Sequence, residues 1–117
     1  MRKYLVVKTL KGVRRIPFYE VMYLIRRGRK ILIYSDQGEI EYTQRISEVS
    51  ETLDERFFKA LDSIYINLDR IKIAEEGRII FDDESSLLLS RDSYVRTKQR
   101  LFVYLKTKLN TGDGSKC

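Results

Sequence analysis

Short runs of β-branched and aromatic residues, separated by glycine-containing turns, constrain the fold of this chain most. Residues 13–25 carry apolar side chains at largely alternate positions, and residues 30–34 and 39–42 follow turns that contain Gly28 and Gly38. Alternation over such short segments is typical of β-strands, because successive strand side chains point to opposite faces of a sheet. Strands joined by turns this short predict an antiparallel meander.

The same pattern extends in both directions from the meander. It predicts further strands at residues 4–7, 63–67, 71–73, 78–81 and 87–89. Pro17 has no N–H to donate, so we expect it at a sheet edge or at a bend.

Helical spacing occurs in two places. Ile46, Val49 and Leu53 are three and four residues apart, which predicts one short amphipathic helix. The segment from Asp92 onward predicts a second helix, with Asp92 or Ser93 as its cap. The residues expected on its packed stripe are Tyr94, Lys98, Leu101, Leu105 and Leu109. The chain is thus predicted to be a single mainly β domain at residues 1–109, followed by a flexible tail at residues 110–117.

The residue types that are missing argue against most enzyme classes. The chain has no histidine, which removes the usual general base and the commonest metal ligand. Its single cysteine is Cys117, the last residue, so there is no disulfide framework. Asp82, Asp83 and Glu84 lie in a predicted turn, where acidic residues usually hydrogen-bond the local backbone rather than a metal. We therefore expect no enzymatic activity, no metal and no cofactor.

Hydropathy and the N-terminus predict the compartment. Hydrophobic residues make up 43% of the chain, which argues against disorder. No apolar run approaches the roughly 18 residues that a membrane helix needs. The N-terminus also lacks the pattern of a signal peptide. These features predict a cytoplasmic protein without membrane insertion.

Charge is distributed in three blocks along the chain. Residues 1–30 contain ten Lys or Arg and one acidic residue, residues 31–90 contain six and fourteen, and residues 91–117 contain seven and two. If the two basic blocks share a face, that face attracts polyanions such as nucleic acid or anionic lipid. Ordinary solubilising charge is the alternative explanation.

Three stretches, in this order, resemble the LytTR family of LytR/AlgR-type DNA-binding domains. The first is Ile16-Pro17-Phe18-Tyr19-Glu20-Val21-Met22-Tyr23-Leu24, similar to the family's opening isoleucine-proline segment. The second runs from Leu53 through Phe57-Phe58 and Asp62-Ser63 to Ile66-Asn67-Leu68 and Ile71. It resembles the family stretch in which a helix ends at a phenylalanine before "His-Arg-Ser" and "Val-Asn-Leu-x-x-Ile" segments. The third is Leu88-Leu89-Ser90-Arg91, similar to the closing "Val-Ser-Arg", and together the three cover about residues 13–105.

The resemblance implies a fold of small packed antiparallel sheets with one short internal helix and a C-terminal helical segment. It also implies that loops between strands enter successive major grooves of bent DNA. By position, it assigns DNA contacts to Arg29 or Lys30, then to Asp62 and Ser63, and then to Arg91.

The chemistry of the assigned residues supports this role unevenly. Together with Arg26 and Arg27, the pair Arg29 and Lys30 places four cations within five positions of one turn. Guanidinium groups on such a turn can reach a groove and bind guanine bidentately. The alternative is a solvated hairpin tip. Arg91 begins a helix, where a cation opposes the helix dipole unless phosphate or a neighbouring carboxylate compensates it.

Asp62 departs from the family, which often has Arg or Asn beside a His where this chain has Leu61-Asp62. Three interpretations remain open. Asp62 accepts a hydrogen bond from a cytosine amino group and alters the sequence preference, it turns inward to pair with a neighbouring Arg, or the domain has lost DNA binding. From their chemistry alone, Ser63, Tyr65 and Asn67 favour turn and packing roles over contacts.

These observations predict a cytoplasmic, non-enzymatic transcription regulator that binds double-stranded DNA sequence-specifically. About a dozen residues precede the resemblance, so we expect a stand-alone domain without a receiver, and a domain excised from a longer protein is the alternative. The alternative is a protein-interaction module of the same fold that has lost specific DNA binding, and an RNA-binding module ranks third. A homodimer on repeated half-sites and a regulatory protein partner are further expectations.

Overall fold

The computed structural model describes residues 3–112, which divide into two compact units between residues 71 and 72. The strands and helix of the first unit are β1 (Tyr4–Thr9), β2 (Gly12–Pro17), β3 (Val21–Arg27), β4 (Lys30–Ser35), β5 (Gly38–Thr43), α1 (Ile46–Ser50), β6 (Phe57–Leu61) and β7 (Ile64–Asn67). Single 3-10 turns cover Phe18–Glu20 and Leu68–Arg70. From the unit boundary onward follow β8 (Ile71–Glu75), β9 (Arg78–Phe81), β10 (Ser86–Leu88) and α2 (Arg91–Gly112). The predicted mainly β fold is confirmed.

The first unit holds a two-stranded ribbon, β1–β2, and a five-stranded antiparallel sheet in the order β5-β4-β3-β7-β6. The predicted meander is confirmed, because β3 pairs with β4 and β4 pairs with β5. β7 lies on the other side of β3, with Tyr23 opposite Ile66. Pro17 ends β2 and leads into the first 3-10 turn, which confirms the expectation of a bend.

Antiparallel pairing collects three connections at one end of this sheet, here called the β3–β4 end. The β3–β4 turn, the β6–β7 turn and the end of β5 all lie there, because Arg27 pairs with Lys30 and Lys30 with Thr43. The backbone N–H of Arg26 donates to the carbonyl of Ser63 at 2.8 Å, which links the two turns directly.

The opposite end of the sheet carries the β4–β5 turn. The two terminal guanidinium nitrogens of Arg70 bind the two carboxylate oxygens of Asp36 at 2.9 and 3.0 Å. One of them also donates to the carbonyl of Tyr19 at 2.7 Å. This bidentate pair connects the 3-10 turns to the β4–β5 turn.

The core of the first unit lies on one face of the five-stranded sheet, beneath the ribbon and α1. Its buried members are Leu5, Val7, Ile16, Phe18, Val21, Leu24, Ile31, Ile33, Ile40, Tyr42, Val49 and Phe57. The Phe18 and Phe57 rings meet edge to face with centroids 5.1 Å apart. Burial raises the pKa of Tyr42 to about 12, because the phenolate loses its hydration there.

Asn67 is the fully buried polar residue that joins β7 to the start of β3. Its side-chain amide donates to the carbonyls of Phe18 at 3.1 Å and Val21 at 2.8 Å, and its Oδ1 accepts the N–H of Asp69 at 3.0 Å. The Asn67 side chain is buried and therefore has the packing role expected of it.

The structure differs from the sequence prediction in the first unit at β6. The sequence pattern predicts no strand between the short helix and residue 63, but Phe57–Leu61 pairs with β7 as an edge strand. The predicted short helix is confirmed as Ile46–Ser50, while Leu53 lies beyond its end and packs against the core.

The second unit contains a three-stranded sheet in the order β10-β9-β8, followed by α2. Asp83 accepts hydrogen bonds from the backbone N–H and the hydroxyl of Ser85 at 2.9 and 2.6 Å, as expected of acidic residues in a turn. Glu84 pairs with Lys72 at 2.8 Å, which raises the pKa of that lysine. Within residues 3–112, no helix has the length and apolar character needed to cross a bilayer.

The predicted cap of α2 is wrong. The carbonyl of Ser90 accepts the N–H of Tyr94 at 2.8 Å, so Ser90 occupies the cap position, and Asp92 and Ser93 lie in the first turn. The helix also continues to Gly112, and the remainder of the predicted tail, residues 113–117, lies outside the described residues.

The packed stripe of α2 is also different from the predicted one. Its buried residues are Ser93, Thr97, Leu101 and Tyr104, whereas Lys98 and Leu105 are exposed. The Thr97 hydroxyl donates to the carbonyl of Ser93 at 2.7 Å, so burial leaves that hydroxyl satisfied. An expectation based on apolar residues alone misses such a stripe. Of the predicted members, Leu101 is buried, Tyr94 is half-buried, and the side chain of Leu109 lies outside the described part of the chain.

Candidate nucleic-acid interface

The β3–β4 turn is a two-residue hairpin, with Gly28 and Arg29 between the paired residues Arg27 and Lys30. Gly28 has a φ of +63°, a left-handed conformation that glycine adopts without steric cost. A glycine first in the turn keeps the flanking strands at their natural twist. Arg29 therefore projects from a short, well-defined turn rather than from a long loop.

An open groove of about 840 Å³ lies beside this turn. Its lining comes from the β3–β4 turn, the β6–β7 hairpin, the segment after β5 and α1. The charged residues among this lining are Arg26, Arg29, Arg45, Glu48, Lys59 and Asp62. The structure thus brings three of the predicted contact residues, Arg26, Arg29 and Asp62, around one concave surface.

The cations of this groove are exposed and mostly uncompensated. Within residues 3–112, no carboxylate forms an ion pair with Arg26, Arg29 or Arg45. Lys59 is paired with Asp62 at 3.2 Å, and Glu48 lies farther along the lining. Four cations against two carboxylates leave the groove positive, so it attracts an anion.

Asp62 points into solvent, with 91% of its side chain exposed. Its partner is Lys59, three residues earlier in the same hairpin, and not an arginine. The interpretation in which Asp62 turns inward to pair with a neighbouring arginine is therefore wrong. A pair this exposed contributes little to stability, so the carboxylate is available to other partners at small cost.

Ser63 has a half-buried position in the β6–β7 turn. Its backbone carbonyl accepts the N–H of Arg26. That geometry matches the turn role that its chemistry favours.

Arg27 and Lys30 lie on the other face of the sheet from Arg26. Arg26 is two residues after the core residue Leu24 and shares its face, so the adjacent Arg27 points the opposite way. Lys30 pairs with Glu41 across the β4–β5 ladder at 3.3 Å. The four cations of this turn thus divide between two faces, which the sequence alone does not show.

Arg91 belongs to the second unit, where it is exposed and is the first residue of α2. Asp92 follows it in the first helical turn. Within residues 3–112 the two do not form an ion pair, so the expected compensation of Arg91 by Asp92 is not made through direct contact.

Sequence reasoning missed Arg45 and Lys59 as members of the groove. Arg45 directly precedes α1, and Lys59 lies opposite Tyr65 in the β6–β7 pair. Arg45 reaches the β3–β4 end because β5 pairs with β4 and ends there. Lys59 reaches it because β7 pairs with β3, a contact between distant parts of the chain. The sequence did contain a signal for both residues, because Arg45 directly precedes a predicted helix and Lys59 lies close to a predicted turn.

Comparison with known proteins places this surface in context. The family model described as the LytTr DNA-binding domain matches residues 11–102, a segment that includes both turns and Arg91. The chain is similar in structure to a LytTr DNA-binding domain from Bacillus cereus, part of a protein described as a methyl-accepting/DNA response regulator. The TM-score is 0.69 with 20% identity, over 87% of this chain and 98% of that chain. No curated protein shows significant sequence similarity to the chain.

Proposed function

Because this chain belongs to the LytTr DNA-binding domain family, we propose that it binds double-stranded DNA sequence-specifically and regulates transcription in the cytoplasm. The family is one of DNA-binding domains and not of enzymes. The observation that carries the proposal is the groove at the β3–β4 end, where exposed and unpaired arginines from separate connections converge. Phosphates satisfy such a positive surface, and guanidinium groups on short turns can read base edges.

We propose base contacts for one face of the turn and phosphate contacts for the other. Arg26 and Arg29 line the groove, so we assign base contacts to them, with guanine as the natural partner. Arg27 and Lys30 point to the other face, and we assign phosphate contacts to these two. Arg91, at the start of α2, is proposed as a further phosphate contact.

Asp62 is proposed to contribute sequence preference. Its exposed carboxylate can accept a hydrogen bond from a cytosine amino group in the major groove. Elsewhere along the duplex it repels phosphates, so it favours one base and penalises misplaced binding. Ser63 supports the same turn through its backbone carbonyl.

The test begins by selecting bound sequences from a randomised duplex pool and measuring affinity by fluorescence anisotropy over a range of salt concentrations. We expect one enriched motif, with the logarithm of the affinity falling by about 0.9 per phosphate contact for each decade of salt. Recovery of no motif, with the same salt dependence, would contradict specific binding.

Adjacent residues provide matched variants for the assignment of contacts. Arg26→Ala and Arg29→Ala are expected to relax specificity at one base position each, by roughly 5- to 150-fold. Arg27→Ala and Lys30→Ala are expected to weaken binding to all duplexes alike and to reduce the salt slope by about one. Equal effects of Arg26→Ala and Arg27→Ala would refute the division between the two faces.

The exposed Asp62 also favours a second candidate, a protein-interaction module of this fold that has lost specific DNA binding. In that case the carboxylate is what keeps DNA away, and Asp62→Arg should raise DNA affinity sharply. If Asp62→Arg leaves the affinity unchanged, or abolishes an affinity already present, this second candidate is refuted.

A further inference from the structure

A leucine at the tip of the β1–β2 ribbon is exposed to solvent instead of being packed in the core. Leu10 occupies the two-residue turn between Thr9 and Gly12, and its side chain is fully exposed. Val6 and Val13 are also exposed, at 49% and 73%, and they lie along the ribbon toward the same tip. Three exposed apolar side chains on one small element indicate a surface that meets a partner.

The charge of the ribbon is of one sign. The five cations of residues 3–19 are Lys3, Lys8, Lys11, Arg14 and Arg15, and the segment contains no acidic residue. Pairing places Val6 opposite Arg15 and Lys8 opposite Val13, so apolar and basic side chains alternate on the outward face. Such a face suits a polyanion that also offers apolar groups.

The ribbon tip adjoins the candidate interface. A groove of about 370 Å³ is lined by Lys8 and Leu10 from the ribbon, by Lys30 and Thr43 from the β3–β4 end, and by Glu41, which is paired with Lys30. Thr43 also lines the larger groove with Arg29. The ribbon tip and the larger groove are therefore adjacent within the first unit, with the Lys30–Glu41 pair between them.

We propose that the β1–β2 ribbon is a second DNA-contacting element, with Leu10 packed against thymine methyl groups in the major groove. This inference rests on the proposed DNA-binding function. The major groove is about 12 Å wide and admits a two-stranded ribbon. The thymine methyl is the apolar group on its base edges, and it gives an exposed leucine something to bury against. Lys8 and Lys11 flank Leu10 and neutralise the adjacent phosphates.

The experiment measures anisotropy of the full chain with the duplex recovered from the randomised pool. Leu10→Ser is expected to bind about tenfold more weakly with an unchanged salt slope, because it removes an apolar contact and no charge. Lys11→Gln is expected to reduce the salt slope by about one. Tyr19→Ser serves as the matched control, since Tyr19 is 65% exposed and lies at the opposite end of the sheet, and we expect its affinity to match that of the unsubstituted chain.

A second duplex, with every thymine replaced by deoxyuridine, tests the named contact. For the unsubstituted chain, affinity should fall about fourfold for each methyl group that Leu10 covers. Leu10→Ser should lose little further affinity on this duplex, because its contact with the methyl groups is already gone. An equal loss for both proteins would refute the thymine contact.

The outcomes separate this proposal from the function on which it rests. If a motif is recovered and Arg29→Ala weakens binding while Leu10→Ser does not, the ribbon proposal alone fails. If no motif is recovered, the proposed function fails and the ribbon proposal fails with it. If Leu10→Ser instead abolishes self-association in sedimentation velocity and leaves DNA affinity unchanged, the ribbon is an interface between copies and the proposal is overturned.

Discussion

Replacing Asn67 with alanine tests the buried hydrogen-bond junction that holds β7 against the start of β3. The side chain is fully buried and makes three hydrogen bonds, to the carbonyls of Phe18 and Val21 and from the N–H of Asp69. Asn67→Ala leaves these groups without that partner, and the residues that carry the two carbonyls, Phe18 and Val21, are fully buried. The carbonyl of Phe18 keeps one bond, because it also accepts the backbone N–H of Val21.

The expected cost is about 3 kcal/mol, from roughly 1 kcal/mol for each lost hydrogen bond plus the small cavity left behind. Urea unfolding followed by circular dichroism would measure the loss, and the melting temperature should fall by about 12 °C. Gln37→Ala is the matched control. It removes an exposed hydrogen bond of 2.6 Å to Glu20 and should change stability by less than about 0.5 kcal/mol.

Asn67→Asp sharpens the test, because a carboxylate would face two carbonyl oxygens in place of the amide donor. Protonation restores one donor, so the folded state favours the neutral acid and the pKa of the introduced carboxyl is raised. The deficit relative to the unsubstituted chain should therefore shrink as the pH falls through that raised pKa. A loss below about 1 kcal/mol for Asn67→Ala, or a deficit in Asn67→Asp that does not change with pH, would refute the reasoning.

Three further predictions concern stability and use the same unfolding assay. Burial raises the pKa of Tyr42 from 10.0 to about 12, so the unfolded chain loses this proton first as pH rises, and the stability of the fold decreases above pH 10. By pH 11 the unsubstituted chain should lose about 1 kcal/mol more stability than Tyr42→Phe, and parallel pH profiles of the two proteins would contradict this. Gly28→Ala should cost about 1 kcal/mol from backbone strain alone, because φ is +63° and no atom lies within 4 Å of the added methyl; an unchanged stability would mean that the turn adopts another conformation. Leu101→Ala should cost about 2–3 kcal/mol and Leu105→Ala less than 1, since Leu101 is 8% and Leu105 42% exposed; equal costs would restore the stripe expected from sequence, which contains both residues.

Local sequence pattern predicts the strands whose neighbours are close along the chain. The alternation around β3, β4 and β5, together with Gly28 and Gly38, gives the meander, because each turn specifies its own register. β6 was missed because Phe57-Phe58 and Ala60 have no clear alternation, and the strand is defined by its pairing with β7. In α2, buried hydroxyls at Ser93 and Thr97 take positions that a purely apolar stripe does not include.

The candidate site was predictable to the extent that it is local. Four cations in one turn indicate a polyanion surface, and Arg26 and Arg29 do line the groove. Their separation from Arg27 and Lys30 depends on β3 and β4 extending as strands up to the turn. Arg45 joins the groove through the β4–β5 pairing, and Lys59 joins it through the β3–β7 contact. Of these, the β3–β7 contact joins distant parts of the chain, and no local pattern encodes it.

The most direct test of the central claim is an amide chemical-shift titration of the 15N-labelled chain with the selected duplex. We expect the largest changes at the β3–β4 end, at Arg26, Gly28, Arg29 and Asp62, with little change at Asp36 on the opposite end of the sheet. The largest changes at the opposite end, or no changes at saturating duplex, would contradict the claim that this groove is where the protein binds DNA.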